Sequence, residues 1–96
     1  MSVETAPKED ALLACQRLRA AVNAVVAGDA DGVPVGTKLL ERALYWKSAV
    51  DNEEHRILNW AAAQPSVKID TRLAAFIRHP DLTLQRWLSV YCDEVF

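Results

Sequence analysis

The widest chemical range in this chain lies in the run Asp51-Asn52-Glu53-Glu54-His55-Arg56, where Asp51 and His55 are four residues apart and share one face of any helix that carries them. A carboxylate and an imidazole so placed can hold a metal, but a di-metal centre between helices needs a Glu-x-x-His pair on each of two helices, with further glutamates inward. The only other histidine, His79, has Phe76 three residues before it. The run therefore reads as a solvated face or a polar interruption of an apolar stripe. Asp29-Ala30-Asp31-Gly32 opens like a calcium loop, in which alternating oxygens and a glycine turn wrap a hard cation. Leu40 stands where the closing glutamate belongs, so a solvated loop is expected. Cys15 and Cys92 have no Cys-x-x-Cys or Cys/His spacing and read as free thiols. Ser48, Ser66 and Ser89 sit in no nucleophile elbow, and there is no glycine-rich phosphate loop. The expectation is a protein without catalytic activity, cofactor or metal.

Binding is better represented than catalysis. Trp46 and Trp60 are fourteen residues apart, two heptads along one helical stripe, and Trp87 is a third indole in 96 residues. Tryptophan anchors interfaces because it removes a large area from water while keeping a hydrogen-bond donor. The competing reading packs Trp46 and Trp60 beneath an Ala- and Val-rich first helix. Trp87 and Leu88 are neighbours pointing in different directions, so one of the two is expected at the surface. Trp46, Trp60 and Trp87, with Arg78 and Arg86, form the expected protein interface.

Ala74, with Leu84 of Thr83-Leu84-Gln85-Arg86-Trp87-Leu88 ten residues later, has the spacing of a small residue in one helix packed against a second helix that starts at a polar cap. Over about 20 residues this resembles the recognition-helix segment of bacterial helix-turn-helix regulators. The resemblance implies a DNA-binding regulator that uses residues 70–95, with Thr83, Gln85 and Arg86 facing the groove. Arg78 stands where that family places its turn glycine, His79 fills the apolar turn position, and Pro80 follows. Residues 66–96 also carry no net charge, which gives little phosphate attraction. A packed helix pair is the favoured reading, and DNA binding is the alternative.

The elements that must position these residues follow from periodicity. Residues 1–7 end at Pro7 and are expected as a flexible arm before a helical domain over 8–96. Ala11, Cys15, Leu18, Val22 and Val25 predict a helix over 8–27, stopped at Gly28. All three glycines fall in 28–36, so this is the main loop and the next helix folds back as a hairpin. That helix covers 37–63 as one piece; Asp51 to Glu54, with capping-box spacing, marks the alternative break. Val67-Lys68-Ile69 alternates too briefly to argue for a sheet. Asp70 caps a short helix over 71–78, and a last helix runs from about Leu82 to Glu94. The predicted fold is all-α: a small four-helix bundle on a long helical hairpin, with a short third and a medium fourth helix.

Composition agrees with this scale. Hydrophobic residues make up 51% and charged residues 25% of the chain, with a net charge of -2, which suits one globular domain and lacks the footprint of a non-specific nucleic-acid binder or a membrane anchor. No signal peptide or membrane span is read, and the chain is expected in the cytoplasm. The function these observations predict is a small protein-interaction module acting on a larger protein: an adaptor, chaperone or inhibitor. A phage- or bacterium-encoded inhibitor of a host complex fits this size and acidity. Two apolar stripes in a small domain also predict self-association as a homodimer.

Overall fold

The computed structural model of the chain describes residues 3–28, 36–60 and 64–94. Helix α1, Lys8–Val26, forms because apolar residues recur every three to four positions and Glu9 and Asp10 favour its N-terminus. Ala11, Cys15, Leu18, Val22 and Val25, the expected stripe, are all buried. The helix ends where Gly28 takes φ +80° and donates its N–H to the Val25 carbonyl at 3.0 Å, a left-handed conformation that glycine adopts without steric cost.

Helix α2, Thr37–Trp60, is continuous through Asp51 and packs along α1, burying Leu39, Ala43, Val50 and Ile57. Its 24 residues span about 36 Å at the helical rise, most of the molecule's 44 Å long dimension. The Asp51 and Glu54 side chains do not break the helix to cap a new one. Asp51 Oδ1 lies 2.8 Å and Glu54 Oε2 3.1 Å from the Arg19 guanidinium on α1. The expected continuation to residue 63 and the Asp29–Gly32 loop fall outside the described residues.

The expectation of an all-α fold with a flexible N-terminal arm needs correction at residues 3–7. Strand β1, Val3–Pro7, pairs antiparallel with β2, Ser66–Asp70, in the register Val3 to Asp70 through Pro7 to Ser66. Val67 and Ile69 face the core, while Lys68 between them is exposed. Ala6 is the buried contribution of β1, and the Lys8 N–H donates to the Pro65 carbonyl at 3.1 Å, tying the start of α1 to the ribbon. Two-stranded ribbons are marginal in isolation, so packing supplies what pairing alone cannot. The ribbon sits against α1 and α3.

Helix α3, Thr71–Arg78, starts at the predicted cap: an Asp70 carboxylate oxygen accepts from the Arg72 N–H at 2.8 Å. It buries Leu73, Ala74, Ala75 and Phe76 against α1. Arg17 of α1 donates to the Phe76 and Ile77 carbonyls at 2.8 and 3.2 Å, satisfying acceptors near the α3 C-terminus. Helix α4, Leu84–Tyr91, begins two residues later than expected because the Thr83 hydroxyl accepts from the Arg86 N–H at 3.2 Å and acts as the N-cap. It ends with Asp93 at φ 56° and the Glu94 N–H bonded to the Leu88 carbonyl.

Candidate functional site

The described side chains concentrate their chemistry where α2, α3 and α4 meet. Trp46 of α2 and Trp87 of α4 stack edge to face with centroids 4.8 Å apart; Tyr45 lies edge-on to Trp46 at 5.3 Å, and Phe76 sits 5.3 Å from Trp87. Trp87 is fully buried and its indole N–H donates to the Arg72 carbonyl at 2.8 Å. Trp46 is half-buried, and its Nε1 is buried without a hydrogen-bond partner.

Arg72 closes the cluster. Its guanidinium lies 5.7 Å from the Trp46 ring centroid and 2.9 Å from Asp70 Oδ2, and its Nη1 points to Cys92 Sγ at 3.8 Å. Hydrogen bonds from the Arg72 side chain and N–H hold the Asp70 carboxyl below its ordinary value and outweigh the opposing effect of burial. Burial pushes the Cys92 thiol up. Cys15, on α1, is raised to about 12 by burial, with the Glu53 and Glu54 carboxylates adding to the shift. Both cysteines are free. Tyr45, Trp46, Glu53, Asp70, Arg72 and Trp87 line a cavity of about 210 Å³, a mixed aromatic and charged pocket large enough for a small polar molecule.

The expected interface residues divide three ways. Trp46 and Trp87 are brought together, but Trp87 is a core residue, and so is Leu88; both are 0% exposed, which corrects the expectation that one of them reaches the surface. Leu84, Trp87 and Leu88 stand at i, i+3 and i+4 and share one stripe, wide enough to hold two sequential residues. Trp60 is 57% exposed and apart from the other two. A straight helix drifts by about 20° per heptad against a seven-residue repeat, so two heptads carry Trp60 about 40° off the line of Trp46. Arg78 and Arg86 line an open groove of about 540 Å³ with His79 and Tyr91, and Arg78 is engaged by Glu4 of β1 at 3.1 Å. Of the residues expected at DNA, Gln85 and Arg86 are exposed, whereas the Thr83 hydroxyl is committed to its cap.

Sequence reading missed Tyr45, Asp70 and Arg72 as members of the cluster. Tyr45 adjoins a singled-out tryptophan, a usable signal. Arg72 carried none, because its role depends on α4 arriving from fifteen residues away. Among the described residues no group of three or more His, Cys, Asp or Glu side chains could hold a metal ion, and no helix is long and apolar enough to cross a membrane.

The fold and cluster define a small, mainly helical protein with a two-stranded antiparallel ribbon and an aromatic junction between helices. By sequence, residues 3–92 match the family described as "Putative serine dehydratase domain", and the chain belongs to that family. No curated protein and no solved structure matches the chain. The family carries the name of an enzymatic reaction, removal of water from serine. That elimination requires loss of the Cα proton, and an aldehyde cofactor held by a lysine is one established sink for the electrons. The lysines here do not fit that role: Lys8 is half-buried, and Lys38, Lys47 and Lys68 are exposed, with none lining the cavity.

Proposed function

We propose that this member of the dehydratase family is a non-catalytic interaction module, an adaptor, chaperone or inhibitor that works in the cytoplasm on a larger protein. The observation that carries the reading is Trp60, an indole more than half exposed at the end of α2. At about 100° per residue, Tyr45 and Arg56 fall on the same flank of α2 as Trp60. Aromatic and arginine side chains are the residues that most often dominate protein interfaces. Tyr45 is 56% exposed and carries the Arg42 guanidinium 4.7 Å from its ring centroid. Two free thiols suit a reducing compartment.

The test is affinity capture from lysate of the source organism with the wild type and Trp60→Ala, each with and without nuclease, beside circular dichroism of both proteins. The expected result is a stoichiometric protein partner that survives nuclease and is lost with Trp60→Ala at unchanged helix content. Nuclease-sensitive recovery of DNA would instead support the helix-turn-helix reading on Gln85 and Arg86. The family name favours a second reading, participation in serine dehydration. Release of pyruvate and ammonia from serine by the purified chain supplied with pyridoxal phosphate would replace the non-catalytic reading.

A further inference from the structure

Helix α2 has a second seam whose leucines stay exposed among the described residues and which Arg19 of α1 reaches at Asp51 and Glu54. Leu40, Leu44, Lys47, Asp51, Glu54 and Leu58 follow one another at alternating spacings of four and three, the heptad a/d pattern. This seam lies beside the core stripe Leu39, Ala43, Val50 and Ile57, on the edge of α2 that reaches Arg19 of α1. Its leucines are exposed: Leu40 by 37%, Leu44 by 52% and Leu58 by 45%. Two leucines stand near one end, one at the other, and opposite charges occupy the middle.

We infer that this seam pairs with the same seam of a second copy of the chain, antiparallel, about a two-fold axis that passes between Lys47 and Asp51. In that register Leu40 of each protomer meets Leu58 of its partner, and Lys47 meets Asp51 twice across the axis, the Asp51 carboxylate being half exposed while one of its oxygens pairs with Arg19 of its own chain. Leu44 meets the Glu54 layer, where the carboxylate is already held by Arg19. These are the a-to-d layers of an antiparallel pair of helices. A parallel in-register pair would set Lys47 against Lys47 and Asp51 against Asp51, so charge selects the antiparallel arrangement. A two-fold contact must be self-complementary, and a seam with leucines at both ends and an exchangeable Lys–Asp centre meets that condition. The pairing leaves Tyr45 and Trp60, on the other flank of α2, open to the larger partner, so the two readings stand or fall separately.

Charge exchange tests it. Sedimentation equilibrium of the full chain from about 1 to several hundred micromolar is expected to give a dimer mass. Lys47→Glu is expected to weaken dimerisation by at least about tenfold, because it sets like charges face to face, and Asp51→Lys by as much, while also giving up the ion pair with Arg19 of its own chain. The double variant Lys47→Glu with Asp51→Lys is expected to restore it. Circular dichroism melts keep loss of pairing distinct from loss of folding, and Leu44→Gln provides a second disruption outside the charged layer. A wild-type chain that stays monomeric throughout, or a folded double variant no better than the singles, overturns the proposal. Neither result bears on capture through Trp60.

Discussion

The Trp87 indole N–H donates to the Arg72 backbone carbonyl at 2.8 Å, which pins the centre of α4 to the first turn of α3. Trp46, packed edge-on to the same ring, has its own N–H buried with no partner. The two indoles of one cluster thus differ in what a ring change removes. Trp87→Phe loses a made hydrogen bond and leaves a gap in a fully buried site, and is expected to cost about 2–3 kcal/mol. Trp46→Phe deletes an unsatisfied donor from a half-buried site and is expected to cost less than about 1 kcal/mol. Urea denaturation of the two variants at neutral pH compares them directly, and equal losses would show that the difference in hydrogen bonding carries no weight.

The contrast also shows what a sequence can say about such a cluster. The buried stripe of α1, the Asp70 and Thr83 caps and the bounds of α3 depend on contacts within one turn or one helix face, and periodicity exposes them. The β1–β2 ribbon does not: its strands are separated by the whole of α1 and α2, and β1 buries only Ala6, so neither strand carries an alternation strong enough to call for the other. Trp60 leaves the line of Trp46 for a different reason. A stripe followed over two heptads treats a 3.6-residue helix as a 3.5-residue one.

Arg17 acts across elements, from α1 to the carboxyl end of α3. Its guanidinium donates to both the Phe76 and Ile77 carbonyls, and hydrogen bonds from a charged donor contribute about 1.5–3 kcal/mol. Arg17→Met keeps much of the aliphatic stem and removes the donors, so thermal unfolding is expected to show a loss of about 1–2 kcal/mol at unchanged helix content. Both bonds come from one nitrogen, Nη1, so Arg17→Lys, whose shorter side chain must bring its ammonium to the same point, is expected to recover only part of the loss.

The cysteines should report their own surroundings. Cys15 is buried in α1 with its thiol raised to about 12, and the half-buried Cys92 thiol is also raised, chiefly by burial. A thiol reagent at pH 8 is expected to modify Cys92 more slowly than free cysteine, and Cys15 only on unfolding, because the thiolate is the reactive form. Cys92→Ser should remove the faster phase alone. Stability should fall as pH rises above the ordinary thiol value of about 8.5, where the unfolded chain releases the Cys15 proton and the native chain holds it until about 12. Cys15→Ala is expected to flatten that alkaline limb, measured as urea midpoints between pH 8 and 11.

Asp70 gives the opposite sign at the acid end. Its carboxylate accepts from the Arg72 side chain and N–H, so its native value lies below that of the unfolded chain. The charged form therefore contributes stability that is fully present at neutral pH. That contribution fades as pH falls below about 4, the ordinary aspartate value, and is lost once the native carboxyl protonates. Asp70→Asn keeps a side-chain acceptor for the first turn of α3 but cannot titrate, so its stability at pH 7 should drop and its dependence on pH between 5 and 2 should become shallower. Asp70→Ala removes the acceptor as well, and is expected to lose about 1 kcal/mol for the cap alone. Because the Arg72 guanidinium is held by Asp70 while its carbonyl receives Trp87, loss of the carboxylate should also loosen the indole. The near-ultraviolet circular dichroism of the tryptophans is then expected to weaken in Asp70→Ala at pH 7 before any loss of helix signal. An aromatic spectrum identical to wild type would mean that the cap and the aromatic cluster are independent.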